Sequence, residues 1–343
     1  MALRIWVSRV SKFIRRMGRQ YVTACVCTIC AIAVSLVYFP SHGRADTRPL
    51  FCVLVPHFKD DYWLGVGFGL EQEAARQNVA LLFYEAGGYR ARATQIAQLD
   101  ACLARGVDAI LIGAVTSDHP DLTDAITRAA QRVPVFGLVN ALHSDALSGR
   151  IGVDWRDMGS AAGRYLRQLH PAGSPPKTAL FLTGPAEAGW TGPLEAGLRD
   201  GLAGGSVTIL AVFQADTGLR AQLDLVETAL MRHPDADYLI GDAPAIEAAF
   251  GLFATQTYPT RPILVSTYMS HAILRGLQNG QVLAASFDDP VQQGILAIRQ
   301  AVLLKSRPNQ QSVVGPKVAL LTRDDQGFDH IHLSPAEYFP ALQ

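Results

Sequence analysis

From residue 51 onward, short unbroken apolar runs alternate with stretches whose apolar residues recur at helical spacing. The runs predict strands at Cys52–Pro56, Ala80–Tyr84, Ala109–Gly113 and Val133–Leu138. The periodic stretches between them predict helices at Trp63–Gln77, Ala91–Arg105 and Leu122–Gln131, with Gly106 and Pro134 as stop signals. After a segment at Arg150–Asp154 the pattern restarts. Strands are expected at Thr178–Leu182, Val207–Phe213, Tyr238–Gly241 and Ile263–Thr267. Helices are expected at Asp157–Leu169, Gly192–Leu202, Leu219–Arg232, Pro244–Thr255 and His271–Asn279. Strands separated by helices of this length make βαβ units and a parallel sheet. The fold class is therefore α/β, with two doubly wound parallel-sheet lobes.

The break between lobes falls near Val153–Arg156. The tail does not complete a simple second half. A strand at Val282–Phe287, a long helix at Pro290–Leu304 and a last strand at Ser312–Leu321 suggest a chain that crosses back to the first lobe and returns. The expected partition is a leader over 1–45, an N-terminal lobe over 46–153 joined by about 288–308, and a C-terminal lobe over 154–287 joined by about 309–343. Lobes joined by several crossings form a hinged clamp around a ligand.

Charge sharpens the picture at the front end. The formal net charge is zero, yet residues 1–45 hold seven basic residues and no Asp or Glu, leaving 23 basic against 30 acidic residues beyond. An acidic body argues against a nucleic-acid partner. The basic stretch precedes an uncharged run from Tyr21 to Phe39 and small residues at Gly43 and Ala45, the pattern of an export signal cut after Ala45. An uncleaved membrane anchor is the alternative, because the run is long enough to span a bilayer. Removing the leader leaves two cysteines, Cys52 and Cys102, one in the first strand and one near the end of the helix after the second. In an oxidising compartment they form a bridge or stay as two buried thiols.

Candidate chemistry is sparse. Gly65-Val66-Gly67-Phe68-Gly69 approaches a dinucleotide fingerprint but fails its spacing, so close helix–sheet packing is the simpler reading of these glycines. Asp329, His330 and His332 suit a solvated strand end better than a metal site. No nucleophile stands next to a base, which argues against an enzyme.

Ligands of open α/β sheets bind beyond the carboxyl ends of the strands. There the chain places Asp60, Tyr62 and Trp63 in the first turn, Tyr89 after the second strand, Trp155 at the first crossing and Tyr268 in the second lobe. Asp154 and Asp288 stand behind them at the two crossings. A set rich in rings and poor in polar groups suits a quaternary ammonium group, which ring faces attract through their quadrupoles. A sugar would need more hydrogen-bonding partners.

The lobe pattern resembles the type I periplasmic binding proteins. Cys52-Val53-Leu54-Val55-Pro56, Lys59-Asp60, Tyr62-Trp63-Leu64, Glu85-Ala86-Gly87-Gly88-Tyr89, Gly152-Val153-Asp154-Trp155, Ala245-Ile246-Glu247-Ala248-Ala249, Tyr268, Ser270-His271 and Val291-Gln292-Gln293-Gly294 together resemble the TorT family. That resemblance implies a periplasmic protein that binds trimethylamine N-oxide (TMAO) and reports it to the sensor domain of a membrane histidine kinase, helping to induce the TMAO reductase system, with no cofactor and no metal. It implies that Trp63, Trp155 and Tyr268 box the trimethylammonium group, that Tyr62 and Tyr89 complete the walls, and that Asp60 supports the first turn. The family also carries cysteines matching Cys52 and Cys102. Trp190, Phe287 and Asp289-Pro290 depart from the family pattern. A receptor delivering a sugar or small quaternary amine to an ABC importer is the alternative function.

Overall fold

The computed structural model describes residues 48–258, 260–304, 313–325, 328 and 331–343. The leader and the segment before the last strands lie outside the described residues, as do Asp329 and His330. Two six-stranded sheets carry the chain. The first holds β1 (Leu50–Val55), β2 (Ala80–Glu85), β3 (Ala109–Ile112), β4 (Val135–Leu138), β5 (Gly149–Ile151) and β11 (Val313–Val314), in the order β2-β1-β3-β4-β5-β11. The second holds β6 (Lys177–Thr183), β7 (Val207–Gln214), β8 (Tyr238–Gly241), β9 (Ile263–Ser266), β10 (Val282–Phe287) and β12 (Ala319–Thr322), in the order β7-β6-β8-β9-β10-β12. Both orders reverse direction beside their first strand, at the switch point where such sheets open a crevice. All pairings are parallel except that of β10 with β12.

The central strands are buried on both faces, as helices on either side require. The first lobe carries α1 (Asp61–Gln77), α2 (Arg92–Ala104) and α3 (Pro120–Ala130). The second carries α4 (Trp155–Leu169), α5 (Thr191–Leu202), α6 (Leu219–Arg232), α7 (Ala243–Thr255) and α8 (His271–Gln278). Helix α9 (Pro290–Leu304) follows the second crossing and returns to pack on α1.

Gly65 and Gly69 of α1 belong to that helix pair, while Gly67 faces Phe58 and Tyr338. A Cβ at Gly69 would strike the Val291 carbonyl, and one at Gly294 would strike the Val66 carbonyl. Their packing is thus helix on helix, where helix on sheet was expected. The second lobe repeats the device: a Cβ at Gly197 would meet the Arg156 carbonyl, and one at Gly159 the Leu194 carbonyl, across α4 and α5. In each lobe the helix after a crossing lies backbone-close to the helix after that lobe's first strand.

The final strand expected over Ser312–Leu321 is two short strands in different sheets, interrupted at Gly315-Pro316. Proline has no N–H for a ladder, and a Cβ at Gly315 would strike the Gly152 carbonyl of the first crossing. The tail expected with the C-terminal lobe beyond about 309 is therefore shared. Val313–Val314 pairs with β5, Ala319–Thr322 with β10, and Leu342 forms a bridge with Phe83 in the first lobe. Cys52 and Cys102 are joined as a disulfide between β1 and α2, with Cα atoms 6.0 Å apart.

Candidate functional site

Two aspartates start the helices that build the site. Asp60 caps α1 by accepting from the Trp63 N–H at 3.3 Å. The helix therefore begins at Asp61, two residues before the start expected at Trp63, and Tyr62 and Trp63 both lie in its first turn. Asp154 caps α4 in the same way, accepting from the Arg156 N–H at 2.9 Å, so Trp155 opens that helix. A helical first turn fixes the direction of each ring more tightly than a loop does.

All six sequence-predicted residues, Asp60, Tyr62, Trp63, Tyr89, Trp155 and Tyr268, line one cavity, together with Val139, Asn140, Trp190 and Thr217. The rings nearly close on one another: the centre of a water-sized sphere has only about 10 Å³ of free space inside, room for about one water. A site this tight suits a molecule of few heavy atoms. Each aromatic lining residue is at most 4% exposed. The chain has four tryptophans, and every one beyond the leader lines this cavity.

Tyr62 is the hub of the rings. Its centroid lies 5.3 Å from Tyr268, 5.8 Å from Trp155 and 6.2 Å from Trp63. Its hydroxyl donates to Asp288 Oδ2 at 2.6 Å and accepts from Gln293 Nε2 at 3.0 Å. Asp288 thus anchors Tyr62 from behind, whereas Asp154 serves as a cap outside the cavity. Burial pushes the Asp288 carboxyl up to about 6, with the Tyr62 and Gln293 donors opposing the shift.

Trp63 and Trp190 come from opposite lobes and are seated alike. A Cβ on Gly113, just past β3, would overlap the six-membered ring of Trp63; one on Gly184, just past β6, would overlap that of Trp190. Gln95 braces the first seat, donating to the Gly113 carbonyl at 2.9 Å and accepting from the Val115 N–H at 3.0 Å. Trp155 donates through Nε1 to the Val139 carbonyl at 3.3 Å. Val139 sits at φ +64°, an uncommon left-handed conformation for a β-branched residue and a local strain held at the cavity wall.

The cavity is polar at two places. At one, Asp60 accepts from the Tyr268 hydroxyl at 3.2 Å, a bond between lobes. Burial raises the Asp60 carboxyl above its ordinary range, with His57 opposing. At the other, the Tyr89 hydroxyl accepts from Asn140 Nδ2 at 3.4 Å, and Asn140 Nδ2 also donates to the Ala114 carbonyl at 2.9 Å.

Two further contacts from the same turn span the lobes. His271 accepts no proton from Asp61 but donates to it: the His271 N–H and Nδ1 lie 2.9 and 2.7 Å from Asp61 Oδ2. His57 Nε2 lies 2.7 Å from Thr217 Oγ1 and 4.0 Å from Asp216 Oδ1. The Lys59 N–H donates to His57 Nδ1 at 3.2 Å, so the neutral ring carries its proton on Nε2 and donates to Thr217. That is the wrong tautomer for a base activating the Thr217 hydroxyl. Among the described residues no cluster of His, Cys, Asp and Glu is arranged to hold a metal ion.

The model of the periplasmic binding protein domain matches residues 51–307. The protein named "Periplasmic protein TorT" in Escherichia coli (strain K12) is 38% identical over 291 residues, 84% of this chain and 83% of that protein. The chain belongs to the TorT family. A solved complex of TorT with the TorS sensor domain in the presence of TMAO matches with a TM-score of 0.73 at 36% identity, covering 86% of this chain and all of that one. The same complex without ligand matches at 35% identity. An ABC transporter solute-binding protein from Bradyrhizobium sp. BTAi1 with bound bis-tris matches with a TM-score of 0.71 at 34% identity, covering 87% of this chain and 90% of that one.

Within this TorT-family site, the sequence reading missed Val139, Thr217 and Asn140 as lining residues and treated Trp190 only as a departure. Asn140 carried a signal, since it follows the fourth strand. Thr217 and Trp190 reach the cavity from loops three and seven residues past their strands, where periodicity is silent.

Proposed function

We propose that this protein is a periplasmic receptor that binds TMAO between its lobes and reports it to the sensor domain of a membrane histidine kinase. The observation that carries the reading is the buried, ring-lined cavity shared by both lobes, with the Asp60 carboxyl and hydrogen-bond donors set among the rings. The ligand is neutral overall but has a cationic methyl face and an anionic oxygen. Rings and Asp60 suit the methyl face; donors near Tyr89 suit the oxygen. Asp60, Tyr62, Trp63, Tyr89, Trp155 and Tyr268 are the proposed ligand-binding residues, and Asp288 holds Tyr62 in place. Similarity to TorT and to its complexes with the TorS sensor domain supports both ligand and partner. Export through the 1–45 leader supplies the location, and among the described residues no helix is long and apolar enough to cross a membrane. The reading is of a binding protein without catalytic activity, consistent with its family and with the His57 tautomer.

Titrating TMAO into the mature protein is expected to quench its tryptophan emission saturably, and the ligand-dependent mixture with the partner kinase's sensor domain to elute as a complex. No binding at millimolar TMAO with that domain present would overturn the ligand assignment. The bis-tris-bound transporter relative favours a second reading, an importer receptor for a small amine. Binding of such an amine tighter than TMAO would select it.

A further inference from the structure

Trp190 brings to the cavity a buried indole N–H without a hydrogen-bond partner. It is 2% exposed, and its Nε1 makes no hydrogen bond among the described residues. The Trp155 N–H, by contrast, is given to the Val139 carbonyl. The position of Trp190 is over-determined: Gly184 leaves room for its benzenoid edge, and its ring lies 5.2 Å from Trp155 and 6.4 Å from both Tyr89 and Tyr268. A side chain held so firmly cannot turn its N–H to another partner.

The surroundings of that N–H define what it could meet. The Trp190 ring lies 6.4 Å from that of Tyr89, and Asn140, Trp63 and Trp190 together oppose the rise that burial imposes on the Tyr89 hydroxyl. That hydroxyl already accepts from Asn140 Nδ2, so its own proton is available to give. The Tyr89 O–H and the Trp190 N–H are therefore two donors with no acceptor of their own among the described residues, lining the same ring-walled space as the Asp60–Tyr268 pair. Buried donors are nearly always partnered, and leaving one unmade is costly. A partner brought by the ligand resolves the imbalance.

We propose that Trp190 is a specificity-determining residue whose indole N–H donates to the oxygen of the bound N-oxide, so that the site distinguishes an amine oxide from a quaternary ammonium ion of the same outline. The assignment rests on the receptor reading above. It adds a group that departs from the TorT family pattern, and it means that this chain recognises the oxygen partly from its second lobe. Ring faces alone cannot make that distinction, because they attract any trimethylammonium group. A donor to a charged oxygen can.

The test compares wild type with Trp190→Phe, which removes the N–H and also the distal ring edge that rests on Gly184; that packing loss is common to any ligand, so the N–H is read from the difference between two ligands. Calorimetric titrations use TMAO and tetramethylammonium, in which a methyl group replaces the oxygen. Trp190→Phe is expected to weaken TMAO binding roughly ten- to a hundredfold more than it weakens tetramethylammonium binding, the range for a hydrogen bond to a charged group. In ¹⁵N-labelled wild-type protein the Trp190 indole N–H resonance is expected to move downfield when TMAO is added. This second measurement stands even if the variant does not fold. Equal losses for both ligands, no loss for TMAO, or an unmoved Trp190 resonance in TMAO-saturated protein would each overturn the proposal. If the wild type binds TMAO and Trp190→Phe binds it as well, only the assignment of Trp190 falls. If the wild type itself does not bind TMAO, the receptor reading falls and takes this proposal with it.

Discussion

Trp63 joins three functions in one side chain: it closes the cap of α1 through its backbone, rests on Gly113, and walls the cavity. Trp63→Ala is expected to weaken TMAO binding by about 3 kcal/mol, since several desolvated ring contacts go together. Calorimetry checks this, and unchanged affinity would place the site elsewhere. Asp242 gives a separate prediction. It is fully buried at the start of α7, accepts from the Ala245 N–H through Oδ1 at 2.9 Å, and leaves Oδ2 without a partner. Burial pushes its carboxyl up to about 8. The folded protein thus keeps a proton that the unfolded chain gives up near the ordinary carboxylate range. Its contribution to stability falls as pH rises from about 4 and is lost once pH passes about 8. Asp242→Asn keeps the capping oxygen and removes the charge. Denaturation at stepped pH should show a flatter profile than wild type across that window; a parallel profile would assign the slope to other acids. At this scale the sequence was most legible where the strand-end rule applies directly. Asp60, Tyr62 and Trp63 fall where the first strand hands over to its helix and Trp155 at a crossing, each beside an acidic helix-start residue, so pattern and topology together bring them to one face. Trp190 depends on how the loop after Thr183 folds, and no local pattern encodes that path.

The helices and strands were largely readable because apolar runs and helical periods report burial directly. The starts of α1 and α4 were read too late. Bulky rings beside acidic residues resemble loop, yet Asp60 and Asp154 are helix caps, and the rings turn inward on the first turn. The α1 glycines were misattributed because periodicity cannot say which neighbour comes so close. Their role is testable in pairs. Gly69→Leu drives a side chain into the Val291 carbonyl and should destabilise the fold by about 3 kcal/mol through overpacking and loss of the α1–α9 contact. Gly251, in α7, has nothing within 4 Å of where a Cβ would stand. Gly251→Ala should raise stability by about 0.5–1 kcal/mol by improving helix propensity. Thermal melts of the two variants should move in opposite directions; movement in the same direction would show that α1 and α9 are not held backbone to backbone.

For the molecule as a whole, the disulfide closes a 50-residue separation between β1 and α2. Restricting an unfolded loop of that size is worth about 4 kcal/mol on the chain-entropy account. Cys102→Ala is therefore expected to lower the denaturant midpoint markedly, and reducing agent to do the same to wild type but not to the variant. An unchanged midpoint would mean that the bridge adds no stability. Two lobes and their order followed from the sequence. The shared tail did not, because strands as short as Val313–Val314 and Ala319–Thr322 carry too few residues for an alternation to register, and their partners lie far away along the chain.

With that tail the chain passes between the sheets after β5, after β10 and between β11 and β12, before its last residues return to the first lobe at Leu342. The first and third touch, with the Gly152 N–H donating to the Val314 carbonyl at 3.0 Å. One strap between two plates would let them bend, twist and slide. Three straps side by side remove the twist and the slide, and leave a single opening angle. A kinase domain bridging both plates would then have only that angle to measure, so the message carried outward is a one-dimensional quantity, set by how far the jaws close on what they hold.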